Sequence, residues 1–183
     1  MGQYERAITF HQQSLTINQE IGARSAEADN LGSLGIAYYS LGQYDTAIAF
    51  LKQVLTIMRD IGDRSGEAIS LNNIGAAYTD LQNYSEALSY YRQALPIAQE
   101  IGERDSEGLY LSNIGRIFEL ENQPELAISF YQQSVAVREG IRRDLRNLTT
   151  DLQQSYTDTV AYTYRSLADL LLAAGRVEEA QVS

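Results

Sequence analysis

Cysteine and tryptophan are missing from this 183-residue chain, and it holds one histidine, His11, and one lysine, Lys52. Without a thiol the sequence cannot build a thiolate nucleophile or a Cys/His zinc site, and a Ser-His triad could draw on His11 alone. The expected assignment is no catalytic residue, no metal and no cofactor, so the chain is not expected to be an enzyme. Cationic charge is scarce as well. The 14 Lys and Arg against 24 Asp and Glu leave a net charge of -10, and no basic stripe exists to displace counterions from a nucleic-acid backbone. No run of about 18 consecutive apolar residues offers a membrane span, and residues 1–6 open into an amphipathic pattern in place of a signal-peptide core. The expectation is a cytoplasmic chain with neither nucleic acid nor membrane as partner. A 44% hydrophobic content with 2 prolines still suffices for a packed core.

What the sequence does contain is a period. Laid without gaps over residues 41–80, residues 1–40 match at 20 positions, and residues 41–80 match 81–120 at 14. Fixed points 40 residues apart include Ala7, Ala47, Ala87 and Ala127, then Leu31, Leu71 and Leu111, then Gly35, Gly75 and Gly115. Such self-similarity is the mark of a stacked-repeat architecture. Within each copy Leu31, Leu34, Gly35 and Tyr38 fall at i, i+3, i+4 and i+7, one face of a helix, and Ala47, Ile48, Leu51 and Leu55 do the same for a second. The connection Leu41-Gly42-Gln43-Tyr44 is short enough to force an antiparallel hairpin. Pro124 is expected at the first position of the second helix in the third copy.

Between hairpins, Gly22, Gly62 and Gly102 are expected to end helices in the left-handed conformation. Ser25, Ser65 and Asp105, three residues on, are the expected caps of the next ones. The mid-helix Gly35, Gly75 and Gly115 each cost roughly 1 kcal/mol against Ala. The expected compensation is close backbone approach to Ala47, Ala87 and Ala127.

The set Leu31, Leu34, Gly35, Tyr38, Ala47 and Leu51, repeated through Leu71 to Tyr91 and Leu111 to Tyr131, resembles the tetratricopeptide repeat pattern. The 40-residue period departs from that pattern's usual 34 and is similar to the longer-helix variant of kinesin light chains. The resemblance implies an all-α fold, a right-handed superhelical solenoid of antiparallel helix hairpins, working as a non-catalytic scaffold for a peptide or protein partner. The register divides one array into a partial repeat at 1–22 holding the second helix alone, full repeats at 23–62, 63–102 and 103–140, and a long helix with a partial terminal repeat at 141–183. Both ends look cut from a longer protein. Their orphan faces are expected to pair between molecules, residues 4–20 of one against 160–173 of another.

After Gly140 the period breaks, and a helical segment from Ile141 to Tyr164 is expected, with Leu145, Leu148, Leu152 and Tyr156 in helical spacing and Arg142, Arg143 and Arg146 beside Asp144 and Asp151. Residues 140–148, followed by 162–172 and 175–180, resemble the junction before a CHAT domain, a caspase-like module of bacterial repeat proteins. This implies an alternative function, a regulatory arm that holds or gates such a domain beyond Ser183.

In repeats of this type the first helix of each hairpin lines the concave groove. Ser33, Asn73 and Asn113 precede Leu34, Ile74 and Ile114, and in the resembling kinesin-light-chain class an Asn at this offset holds the backbone of an extended peptide. An amide suits that task because it donates and accepts at once. The bland reading is an amide satisfied by nearby backbone or water. Asn72, Tyr39, Arg116 and Arg165 complete the candidate groove. Gly32, Asn72 and Ser112 occupy positions that carry cations in chaperone-type repeats, so a carboxylate clamp is absent. Arg116 is expected to pair with Glu119 or Asp80, His11 to pack, and Tyr39, Tyr90 and Tyr110 to be the aromatics freest for contact.

Overall fold

A residue every three or four positions that is apolar, bounded by a glycine and a turn, has no stable alternative to an amphipathic helix packed on its neighbour. A computed structural model describes residues 3–144 and 150–181, and among them it places α1 (Gln3–Glu20), α2 (Arg24–Ser40), α3 (Tyr44–Ile61), α4 (Arg64–Asp80), α5 (Tyr84–Ile101), α6 (Arg104–Leu120), α7 (Pro124–Asp144), α8 (Thr150–Ala173) and the short α9 (Val177–Ala180). No strand occurs among the described residues, and none of their helices is long and apolar enough to cross a membrane. Leu145, Arg146, Asn147, Leu148 and Ser183 lie outside the described residues, as do the side chains of Asp151, Leu152 and Tyr156. Up to that gap α7 continues past Gly140 to Asp144, and α8 begins at Thr150.

The chain forms two compact units, Met1–Ile97 and Ala98–Ser183. In the first, α2 packs against α1 and α3, and α3 against α4; in the second, α7 packs against α6 and α8, and α8 against α9. Leu31, Leu34, Leu71 and Ile74 form the fully buried spine of the first unit, and Ile114, Ile117, Ile128 and Leu171 that of the second. Each hairpin repeats one aromatic pair across its two helices. Tyr38 stacks on Phe50 with centroids 5.4 Å apart, Tyr78 on Tyr90 at 5.5 Å, and Phe118 on Phe130 at 5.4 Å. Tyr90 is therefore committed to packing, and Tyr110 is buried; neither is a free contact aromatic. A tyrosine on a helix reads alike whether its ring lies against a neighbour or in solvent.

Gly22, Gly62 and Gly102 adopt φ of 70°, 73° and 74°, as the end of a left-handed helix cap requires. Inside the hairpins the same conformation is taken by Gly42 but also by Gln82 and Asn122, at φ 59° and 57°. The caps differ from expectation. Asp63 is the N-cap of α4, its Oδ1 accepting from the Gly66 N–H at 2.9 Å, while Ser25, Ser65 and Asp105 lie inside the first turn. The left-handed residue hands over to the next helix after one residue, so the cap is the residue directly following glycine. At that place α2 has Ala23, with φ -79° and ψ 76° and no side-chain cap, close to the -78° and 93° of Asp63. Ala23→Asp is expected to add about 1 kcal/mol, the usual worth of an N-cap, read as a higher urea midpoint with unchanged slope.

The glycines inside α2, α4 and α6 make their tightest approach to a side chain, although a Cβ on Gly35 would also stand 3.6 Å from the expected Ala47 backbone, at its carbonyl oxygen. A Cβ on Gly75 would stand 2.7 Å from Tyr91, one on Gly115 3.1 Å from Tyr131, and one on Gly35 3.0 Å from Leu51. The close approach is to the side chain four residues after the repeat alanine, because that residue is the one that leans across the helix pair.

Ion pairs tie the hairpins at their ends. The buried Glu67 accepts from Arg59 Nε at 2.7 Å and Arg64 Nη1 at 2.5 Å, and Arg24 joins Glu27 at 2.8 Å to Asp60 at 3.1 Å. Burial by itself would raise the Glu67 pKa, but the two guanidinium hydrogen bonds outweigh it and hold the carboxyl below its ordinary value.

Candidate functional site

In the first unit α2 and α4 bury Leu31, Leu34, Leu71 and Ile74, Leu31 clustering with Val54, Ile57 and Met58 of α3 and Leu34 with Ile8 of α1, and other residues beside them remain toward the surface. There α2 offers Ser33, Ile36 and Tyr39, and α4 offers Asn73 and Ala76. Ile36, Tyr39, Asn73 and Ala76 enclose a pocket of about 270 Å³ whose wall also includes Gly35 and Leu51. A second, more open depression of about 320 Å³ shares Ile36, Leu51 and Asn73 and adds Asp29, Ser33 and Ile69. Ile36 is 59% exposed, which places a bare apolar side chain at the junction of the two.

Two features shape the polar edge. Tyr39 donates its hydroxyl to Asp80, joining α2 to α4, and its ring meets Tyr44 edge-on with centroids 5.3 Å apart. Burial first, and then the neighbouring Asp80 carboxylate, push the Tyr39 pKa up, so the hydroxyl stays a neutral donor at ordinary pH. Asn73 accepts from Asn72 Nδ2 at 3.3 Å, a long bond that leaves the pair at the pocket edge together. Ser33 turns its hydroxyl back onto its own helix, donating to the Asp29 carbonyl at 2.9 Å. Of the groove residues expected in this unit, Ser33, Tyr39 and Asn73 thus line one continuous apolar surface, with Asn72 attached through Asn73.

The second unit holds Asn113, Arg116 and Arg165. Asn113 is half-buried and has a polar interaction of its own. Arg116 does not form the expected ion pair. Its Nη1 donates to the Tyr162 hydroxyl of α8 at 3.0 Å, whereas Glu119 accepts from Tyr131 at 2.7 Å and Asp80 from Tyr39. Arg165 stands exposed on α8, three residues after Tyr162. Arg116 and Tyr162 are 46 residues apart, a pairing that no local pattern announces.

Sequence reasoning places Leu51 in the packing pattern of the second helix and not in the groove, although the period carries the signal. The same register position is Tyr91 in the next hairpin and Tyr131 in the one after. The Tyr91 ring lies against Gly75 with its hydroxyl 3.2 Å from Thr79 Oγ1, and the Tyr131 ring lies against Gly115 with its hydroxyl on Glu119. A leucine stops short of that space. His11, at the same register position in α1, is half-buried with Nδ1 3.2 Å from Asn30 Oδ1, a packing and hydrogen-bonding role. Among the described residues no three His, Asp or Glu side chains gather as a metal site would need.

Comparison with known proteins follows the geometry. The sequence profile described as tetratricopeptide repeat matches residues 1–60 and 66–140. No curated protein matches the chain. Among solved structures, the kinesin light chain TPR-like repeats of Podosopora anserina align with 98% of this chain and 83% of their own at 20% identity and a TM-score of 0.71. The Rap conjugation gene regulator of plasmid pLS20, in complex with the Phr* peptide, aligns with 97% of this chain at 20% identity and a TM-score of 0.68, and this chain spans 46% of its length. The apo form of RapI aligns with 99% of this chain and 67% of its own at 14% identity and a TM-score of 0.71. At such identities the likeness concerns the fold.

Proposed function

Since this chain belongs to the tetratricopeptide repeat family, we propose that it is a non-catalytic scaffold that takes a peptide or protein partner on the exposed faces of its repeat helices, those of α2 and α4 in the first unit. The observation that carries this reading is the apolar pocket between α2 and α4, rimmed by the Asn73 amide and the Tyr39 hydroxyl. Apolar walls with a few placed polar groups suit a side chain entering the pocket while an amide engages the backbone beside it. A fold neighbour, the Rap regulator, is itself seen with a peptide bound, which supports a peptide as the ligand class. In this reading Asn73 and Asn113 are backbone-holding amides, Ser33, Asn72 and Tyr39 shape the groove of the first unit, and Arg116 and Arg165 supply cations in the second. A net charge of -10 favours a polypeptide over a nucleic acid as the partner, and the cytoplasm is its proposed location.

The experiment is selection of a random peptide phage library against the chain. Peptides should be enriched, and Ile36→Glu should weaken them by about 100-fold, since a carboxylate placed in an apolar contact loses several kcal/mol; Asn73→Ala should weaken them by about ten-fold. An empty selection, or binding indifferent to Ile36→Glu, removes the reading.

Self-association is part of the same proposal, because Phe10, Ile17 and Ile21 at α1 and its end are 64%, 57% and 70% exposed at spacings of seven and four. A monomer in equilibrium sedimentation at high concentration would exclude it. The reading as a gating arm rests on the resemblance of residues 140–148, 162–172 and 175–180 to a CHAT junction, and a full reading frame without a His- and Cys-bearing domain after Ser183 would end it.

A further inference from the structure

We infer that the pocket formed around Leu51 selects one bulky apolar side chain from a peptide whose flanking residues are basic. This rests on the groove reading above and deepens it by naming the ligand class. The argument begins with the register. In the second hairpin the space beneath the helix glycine is occupied by the Tyr91 ring, and in the third by the Tyr131 ring, each hydroxyl tied to the residue four after that glycine, Thr79 or Glu119. In the first hairpin Leu51 lies beneath Gly35, and the residue four on is Tyr39, whose hydroxyl turns outward to Asp80. The space a tyrosine fills elsewhere is here left open from outside. Gly35, Ile36, Leu51 and Ala76 make its wall apolar, and a side chain entering it gains the free energy of apolar burial.

The charge around the opening supplies the second half. Asp29 lines the adjoining depression and Asp80 holds the Tyr39 rim. Among the described residues, neither depression has a lysine or arginine in its wall. The arginines that begin α2 and α4 are committed elsewhere, Arg24 to Glu27 and Asp60, and Arg64 to Glu67. A peptide that seats an apolar side chain beside Ile36 therefore runs between two carboxylates with no cation in either wall to oppose it. Lysine or arginine on either side of the anchor is attracted, and aspartate or glutamate there is repelled.

The test uses the full chain and a random phage library of short peptides, with enriched peptides resynthesised and titrated by fluorescence anisotropy. Enriched sequences should share an apolar residue flanked by Lys or Arg. Replacing that apolar residue with Ser, or the basic residues with Glu, should weaken binding at least about ten-fold. Leu51→Tyr installs the residue that the neighbouring hairpins carry over the same glycine, so the protein should stay folded by circular dichroism and melting temperature. It should nevertheless lose at least about ten-fold in affinity. Asp29→Asn with Asp80→Asn should weaken the basic peptides and flatten their salt dependence, because the amide oxygen introduced at position 80 still accepts from Tyr39 and only the charge is lost. Peptides that are blocked by Ile36→Glu yet indifferent to Leu51→Tyr, or that are acidic in consensus, would overturn this inference and leave the groove reading standing. A library that yields no binder would overturn both.

Discussion

Tyr131→Ala should destabilise the second unit by about 4 kcal/mol, within the range for truncating a fully buried aromatic. The ring has no exposed surface and lies against the backbone of Gly115, so its removal leaves a cavity that neither glycine nor the neighbouring helices can fill. Most of the cost is packing. The hydroxyl donates to Glu119, a carboxylate exposed enough to be hydrated when that donor is lost, and Tyr131→Phe is expected to cost only about 1 kcal/mol. Burial, then the bonds to Glu119 and Tyr162, raise the Tyr131 pKa, so the hydroxyl is a permanent donor near neutrality. Urea titrations of the two variants separate the contributions; a Tyr131→Ala loss no larger than that of Tyr131→Phe would mean that the ring does not hold the hairpin together.

Gly75→Val should cost about 3 kcal/mol, the upper part of the range for overfilling a tight core. On helix propensity alone the change is favourable, because a mid-helix glycine is roughly 1 kcal/mol worse than alanine. The tertiary contact reverses the sign. A Cβ on Gly75 would stand 2.7 Å from Tyr91 Cε1 and 2.9 Å from Cδ1. That ring is 3% exposed with its hydroxyl held at Thr79, so it has nowhere to retreat. Gly32 provides the control. Its nearest neighbour would be Val54 Cγ2 at 4.0 Å, and alanine there should recover up to about 1 kcal/mol of propensity. Equal effects at Gly32 and Gly75 would show that backbone freedom, not the Tyr91 contact, selects glycine in α4.

These two residues also mark how far the sequence can be read. That Gly75 and Tyr91 occupy fixed places in a 40-residue period is legible in the amino acids alone, as are the helices, their antiparallel pairing, and Pro124 opening α7. Which atom faces the glycine is not, because it depends on how far a side chain leans across the helix pair. The caps illustrate the same limit. Gly62 is recognisable as a helix stop, but its single-residue handover to Asp63 depends on backbone angles, and serine two residues later reads as an equally good cap. Of the groove residues, Asn73, Ser33 and Tyr39 follow from their offset beside the buried leucine or isoleucine. The pocket they share depends on Leu51 from another helix, and the Arg116 partner on Tyr162 from a helix outside the period.

Composition and period by themselves determined that this is a stack of helical hairpins with no thiol and a single imidazole, because burial averaged over each helical turn is written directly in the spacing of apolar residues. The tertiary structure alone decided that the first copy opens at Leu51. A leucine and a tyrosine satisfy the same apolar position in the pattern, yet only packed against the neighbouring glycine does the missing ring become a pocket, with Ile36 bare beside it, Asp29 in the adjoining depression and Asp80 holding the Tyr39 rim.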